Sequence, residues 1–214
     1  HLILGLPYDY AHLTDPNLFE RYVRGYKLAD CVICPSKHSA QCMRSYGCEN
    51  VEVVPHGCHI PSKINPISSR FTVGYLGACG PDKGIIYLII AWARLKYKDS
   101  QLVIGGRQST QLIDMVRQFG NGNIFLAGYI NDLDHFYNKI SIYVQPSVTE
   151  GFGMEVVEAM SYGRPVVCSD GAGASDCVIT KPHEQATGSI FNKRSIEQIA
   201  DMIHYYKTNR SDLV

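Results

Sequence analysis

Net charge is the first thing this sequence lacks: 20 Lys and Arg offset 20 Asp and Glu. A balanced chain has no global field to draw in nucleic acid or to hold it on an acidic membrane. Long apolar runs are missing too. The longest, Ile85–Ala93, falls far short of the roughly 20 residues that cross a bilayer. No signal peptide is apparent, and a chain opening on His1 is expected to have lost its natural start. Paired metal-site cysteines are also absent, because Cys31-x-x-Cys34 has no second Cys-x-x-Cys to match it. Those two cysteines sit on a strand-like run whose positions i and i+3 face opposite sides, which makes a poor chelate. Cys42, Cys48, His56, Cys58 and His59 are the other zinc candidates. The better reading of the eight cysteines is small hydrophobes in a reducing cell, with no metal expected. His38, His56, His59 and His135 are scattered and read as surface or hinge residues.

What is present is an alternation of strands and helices. Thr14-Asp15-Pro16 marks a helix start with Leu18, Tyr22 and Tyr26 on one stripe, after a strand tail at His1–Leu6. Cys31–Cys34 predicts a strand, Ser36 opens a helix to about Tyr46, and Val51–Val54 predicts another strand. From Pro55 to Arg70, four interspersed Pro and Gly residues and no apolar period predict a connection between two units. Strands are then expected at 71–76, 101–104, 123–127, 141–144 and 165–168, separated by helices, with a closing helix near 195–206. Five parallel strands with intervening helices predict an open, doubly wound Rossmann-like α/β sheet. Ile85–Trp92 is apolar enough to be a core helix.

The centre of the chain is Gln145–Val167. Ser141–Val144 predicts a buried strand. A helix follows, with Met154, Val157 and Met160 at spacing three and Gly163 and Pro165 as its stop. In the turn between them, Gly151 and Gly153 let a ligand approach the backbone, and the helix start is a seat for phosphate. Two carboxylates flank that seat, Glu150 before it and Glu158 roughly 7 Å along the helix. A hexose, a diphosphate and a ribose in a row would find partners in that order: Glu150, the amides of Gly151, Phe152, Gly153 and Met154, then Glu158. The alternative is an ordinary βα turn with a surface Glu at each end.

This Glu, seven residues, Glu pattern built around Glu-Gly-Phe-Gly resembles the motif of retaining glycosyltransferases of the family 4 type, which have the GT-B fold. Ala29-Asp30-Cys31-Val32-Ile33-Cys34-Pro35-Ser36 is similar to the end of the GT-B amino-terminal domain, and Val54-Pro55-His56-Gly57 to its crossing into the donor domain. The resemblance spans nearly all of the chain but about half of a typical family member. It implies that 1–57 is the last part of an acceptor-side Rossmann-like domain and 58–70 the linker. The donor domain would be 71–194, with a helix at 195–214 packing back towards the amino-terminal part.

Gly77-Ala78-Cys79-Gly80-Pro81-Asp82-Lys83-Gly84 follows a predicted strand and opens a helix, so Lys83 can neutralise phosphate. Relatives carry Gly-Arg before the Lys-Gly, both cations gripping the donor diphosphate, and here Ala78 stands in the Arg position. The resemblance further implies that Tyr129, after the next strand but one, lines the base. It assigns catalysis to Lys83, which stabilises the departing diphosphate, and to Glu150, which orients the sugar. Gly77 and Glu158 complete the site, Glu158 on the ribose. Asp132-Leu133-Asp134 copies a metal-binding Asp-x-Asp, but at a predicted helix start it reads as a cap. Implied activity is transfer of a hexose from a UDP- or GDP-sugar to an acceptor glycan, lipid or small molecule, without metal or other cofactor. The setting would be the cytoplasm, with peripheral membrane contact through a lipid acceptor. The other expectation is a donor-binding module that needs a partner to supply the missing half.

Overall fold

The computed structural model describes residues 16–120, 123–182 and 184–213. The expected strand tail at His1–Leu6 and the Thr14-Asp15 helix start lie outside them. Two units follow one another. The first carries α1 (Pro16–Leu28), β1 (Val32–Cys34), α2 (Lys37–Ser45) and β2 (Val51–Val53). β1 and β2 pair in parallel. Ala40 of α2 closes with Cys34, Cys48 and Val51 into a small core. Ser36 caps α2 by accepting from Ser39 N at 3.0 Å. Tyr22 and Tyr26 of α1 stack at 6.5 Å and are exposed.

The second unit begins after an irregular connection. It contains β3 (Thr72–Leu76), α3 (Ile85–Leu95), β4 (Gln101–Gly105), α4 (Thr110–Phe119), β5 (Ile124–Gly128), α5 (Leu133–Lys139) and β6 (Ile142–Gln145). α6 (Met154–Ser161), β7 (Val166–Ser169), β8 (Gly188–Phe191) and α7 (Ile196–Thr208) complete it. All six strands are parallel, in the order β5-β4-β3-β6-β7-β8. This is the doubly wound order in which the chain builds outward from β3, then returns to its other side. β6 and β7 are buried at every position, as strands covered on both faces must be.

One face of the sheet is packed by α3, α4 and α7, whose Leu88, Trp92, Leu112, Ile199 and Ile203 join Val73, Leu102 and Val144 in the main core. The other face carries α5 and α6, with Phe136, Tyr137, Val156 and Ala159 against Tyr143, Val166 and Cys168. Two expectations change. There are six strands, because β8 adds an edge strand after β7. The buried stripe of α6 is Val156 and Ala159, while Met154, Val157 and Met160 are only half-buried. The closing helix buries Ile199, Ile203 and Tyr206 in the core of the six-stranded sheet. Asp132 does cap α5, accepting from His135 N at 2.8 Å.

Candidate active site

The chain reverses direction across the sheet between β3 and β6. In an open sheet of this order a ligand sits in the crevice outside the carboxyl ends of those two strands. Two loops line it, 77–84 after β3 and 146–153 after β6.

The first loop leaves β3 through Gly77, with φ 148 and its N–H on Gly105 O at 3.1 Å. A short 3-10 turn, Pro81–Lys83, then delivers the chain to Gly84, whose φ of 63 opens α3. The loops meet through backbone: a Cβ on Gly84 would stand 2.0 Å from Pro146 O, and Val148 N donates to Asp82 O at 2.7 Å. This contact sets Lys83 against Glu150. Nζ and Oε2 form an ion pair, with side-chain exposures of 24% and 19%, so Lys83 is not a solvated surface charge. Burial pulls the Lys83 pKa down, but the Glu150 hydrogen bond and charge, aided by Asp82 and Glu155, leave it above the ordinary lysine value. The cation is therefore fixed at any pH of interest. Ala78 brings no second one. Its carbonyl accepts from the Tyr75 hydroxyl, and burial pushes the neighbouring Cys79 thiol up to about 11, so it stays neutral.

The second loop is held by its carbonyls. Glu150 O accepts from Gly173 N at 3.0 Å and Phe152 O from Ala174 N at 2.7 Å. Between them, Gly151 O accepts from the hydroxyls of Ser36 and Ser39, each at 2.8 Å. In a trans peptide the N–H lies opposite its carbonyl, so the amides of Gly151, Phe152 and Gly153 point away from these anchors. Among the described residues, none of the Gly151, Phe152, Gly153 and Met154 amides donates a hydrogen bond. Gly153, at φ 96, turns this run of free donors into the first turn of α6, where the helix dipole adds positive potential. The arrangement is a seat for an anion next to a fixed ammonium.

The Phe152 side chain takes no part. It is buried, edge-on to His56 with ring centroids 5.1 Å apart, so the residue offers backbone alone. Glu158 is further along α6, one of its oxygens accepting from the Tyr137 hydroxyl at 2.7 Å. Thus Gly77, Lys83, Glu150, Gly151, Phe152 and Gly153 lie on the two loops, Met154 opens α6 and Glu158 stands further along that helix. Tyr129 lies on a third loop, after β5. It stands 79% exposed after the edge strand β5 and lines an apolar cavity of about 390 Å³ beside α5, with Ile130, Phe136 and Ile140. None of the seat residues lines that cavity.

Sequence reasoning missed two groups. Glu155, in the first turn of α6, is half-buried with Oε1 3.8 Å from where a Cβ on Gly77 would stand. Burial raises its pKa, with the charges of Glu150 and Glu158 adding to the effect and its own amide and Lys83 opposing it. Its place three residues before Glu158 was the available signal, since i and i+3 share a helix face. The other group is the Ser36 and Ser39 pair, whose only local signal is a helix cap.

Residues 60–213 match the family described as glycosyl transferases group 1. Capsular polysaccharide biosynthesis glycosyltransferase CapM of Staphylococcus aureus is 32% identical over 143 residues, which is 64% of this chain and 37% of that protein. A lipopolysaccharide 1,2-N-acetylglucosaminetransferase of Salmonella typhimurium is 31% identical over 155 residues, 60% of this chain and 41% of its own length. The chain thus spans well under half the length of these curated relatives. Among solved structures, Anabaena HepE in complex with UDP and glucose superposes with a TM-score of 0.80 at 18% identity, over 95% of this chain and 60% of that one. Sucrose-phosphate synthase of Thermosynechococcus elongatus gives 0.78 at 21% identity, over 95% and 56%. The fold is that of the GT-B glycosyltransferases.

Proposed function

Because the chain belongs to the group 1 glycosyltransferases, we propose that it binds a nucleotide-diphosphate sugar between β3 and β6 and serves hexose transfer to an acceptor glycan, lipid or small molecule. The observation that carries this reading is the row of free amides at Gly151, Phe152, Gly153 and Met154, facing away from anchored carbonyls and flanked by Lys83. Loss of the nucleoside diphosphate from a sugar leaves negative charge on the departing oxygen. Preorganised donors and a desolvated cation at that point lower the barrier without reorganising. Lys83 leaves Glu150 for the diphosphate or bridges both. Glu150 then faces the hexose and orients it, and Glu158, pinned by Tyr137, accepts from the ribose hydroxyls.

The reaction is of the family 4 type, with retention at the reacting carbon, and the protein groups do the work that a metal does elsewhere. The donor is a UDP- or GDP-sugar. The capsular polysaccharide and lipopolysaccharide assignments of the two relatives favour a glycan or lipid-linked acceptor. A thermal-shift panel of nucleoside diphosphates and their sugars tests this. A ligand at about 100 times its Kd raises stability by about 2.7 kcal/mol, and no shift from any member rejects the reading.

A second reading is a donor-binding module that turns over only with an acceptor-side half. It is favoured by the 37% and 41% shares of the curated relatives that the chain spans. Donor hydrolysis and transfer, measured first with this chain and then with that half added, separate the two readings. Transfer by this chain alone rejects the module.

A further inference from the structure

We infer that Ser36 and Ser39, from the amino-terminal unit, are positioning residues for the phosphate seat, making its donor amides depend on the docking of α2. The inference rests on the donor-binding reading above and adds to it a control element outside the donor unit.

The middle peptide of the seat joins Gly151 to Phe152. Its neighbours on either side are anchored from within the donor unit, by Gly173 N and Ala174 N. This one is anchored from elsewhere, by two hydroxyls more than 110 positions away in sequence, each at 2.8 Å from Gly151 O. Ser36 is fully buried, and its Oγ also accepts from Ser39 N at 3.0 Å, so one atom caps α2 and grips the turn. The hydroxyls are 3.1 Å apart. A carbonyl with two lone pairs can accept both at once.

The rest of the junction is shaped for this approach. A Cβ on Gly173 would fall 2.4 Å from Ser36 Oγ and 2.3 Å from Gly151 O, so only glycine lets them close. Asp176 of the donor unit reaches back, accepting from Lys37 N at 2.7 Å at the positive end of α2. His56 of the connection lies edge-on to Phe152. Two hydroxyls of the amino-terminal unit and the His56 ring of the connection thus reach the turn that bears the free amides, and Lys37 N is held by Asp176 on the neighbouring 173–177 turn. Withdrawing α2 removes the partners of Gly151 O. That peptide is then free to rotate about its flanking dihedrals, and the Phe152 amide turns with it. Docking of the amino-terminal unit therefore sets the aim of a donor amide on the diphosphate.

The test is titration of UDP, GDP, uridine and guanosine into the whole chain and its variants. Ser39→Ala deletes one donor but keeps the Ser36 cap, so its melting temperature should equal the wild type's. Its affinity for the nucleoside diphosphate that the wild type binds should fall about threefold, and that of Ser36→Ala with Ser39→Ala about tenfold. Nucleoside affinity should not move, since the amides address phosphate alone. Ser39→Thr, which keeps a hydroxyl, should restore wild-type affinity. Undiminished diphosphate binding by the double variant, or an equal loss for nucleoside and diphosphate, overturns the inference while the donor-binding reading stands. If the wild type binds neither UDP nor GDP, that reading fails and this one falls with it.

Discussion

The hydroxyl of Tyr137 donates to Glu158 Oε2 at 2.7 Å and so joins α5 to α6 beneath the crevice. Tyr137 is fully buried, stacked on Tyr162 at 5.0 Å. Burial first, then the Glu158 hydrogen bond and charge, hold its pKa far above the ordinary tyrosine value, so it always donates. One carboxylate oxygen is thereby occupied, and on the proposed reading the other accepts from the ribose. Glu158→Ala should weaken binding of the bare nucleoside diphosphate and of the sugar donor alike, by about tenfold. Tyr137→Phe should do the same more mildly and lower stability by about 1–2 kcal/mol, the range for a lost hydrogen bond to a charged group. Denaturant titration and calorimetry measure both. Unchanged affinity in Glu158→Ala would remove the ribose role.

Gly84 holds the two loops at contact distance. It combines a φ of 63 with no room for a Cβ, which would meet Pro146 O at 2.0 Å. Gly84→Ala carries both the left-handed penalty and a backbone clash, together about 2–4 kcal/mol. The loops must part, so Lys83 should lose Glu150. Lower stability together with weaker diphosphate binding is the expected pair of results, and a fully stable variant would contradict the contact.

Most of the sheet is legible in local pattern because buried parallel strands are short apolar runs bounded by glycine and proline. β6 and β7 are of this kind. β8 is not. Gly188-Ser189-Ile190-Phe191 is half small or polar, with Ile190 37% exposed, since an edge strand buries less and needs no continuous apolar run. The carboxylates and glycines of the motif turn are likewise visible, because their spacing follows from one turn and one helix. Tyr129 shows the limit: a strand end can be read locally, but which cavity it faces depends on where α5 lies. The Ser36 to Gly151 contact spans 115 positions and leaves no periodic trace. Glu155 was hidden differently, since a carboxylate in a first helical turn reads as a favourable surface charge, and its neighbour Gly77 comes from the loop after β3, far off in sequence.

Lys83 and Glu150 share an ion pair, yet removing each should have different effects. Lys83→Met strips the seat of its cation and leaves Glu150 half-buried without a partner. Diphosphate affinity and transfer should both fall, transfer by about 100- to 1,000-fold, as for loss of a group that meets developing charge. Glu150→Ala frees Lys83 for phosphate. Bare diphosphate affinity should then hold or rise, while transfer falls, since the group proposed to orient the sugar is gone. Initial rates and calorimetry on both variants give the comparison. Nucleotide affinity falling further in Glu150→Ala than in Lys83→Met would reverse these roles.

Glu155 should make stability fall as pH rises. Burial is the main cause of its raised pKa, and the negative charges of Glu150 and Glu158 reinforce it against Lys83 and the residue's own amide. A carboxyl with a folded pKa above its unfolded one binds more protons in the folded state, between those two values. Its contribution to stability is then fully present below the unfolded pKa and is lost as pH climbs through the folded one. At neutral pH the folded chain bears the cost of a half-buried carboxylate that the unfolded chain leaves in water. Glu155→Gln keeps the shape and removes the charge. The variant should therefore unfold at higher denaturant than wild type near neutrality, and the gap should shrink as pH falls into the ordinary glutamate range, where the wild-type carboxyl is neutral as well. Paired denaturant titrations across that range provide the check. A gap that stays constant with pH would mean that packing, not ionisation, separates the two proteins, and Glu155 would then carry no charge penalty in the folded chain.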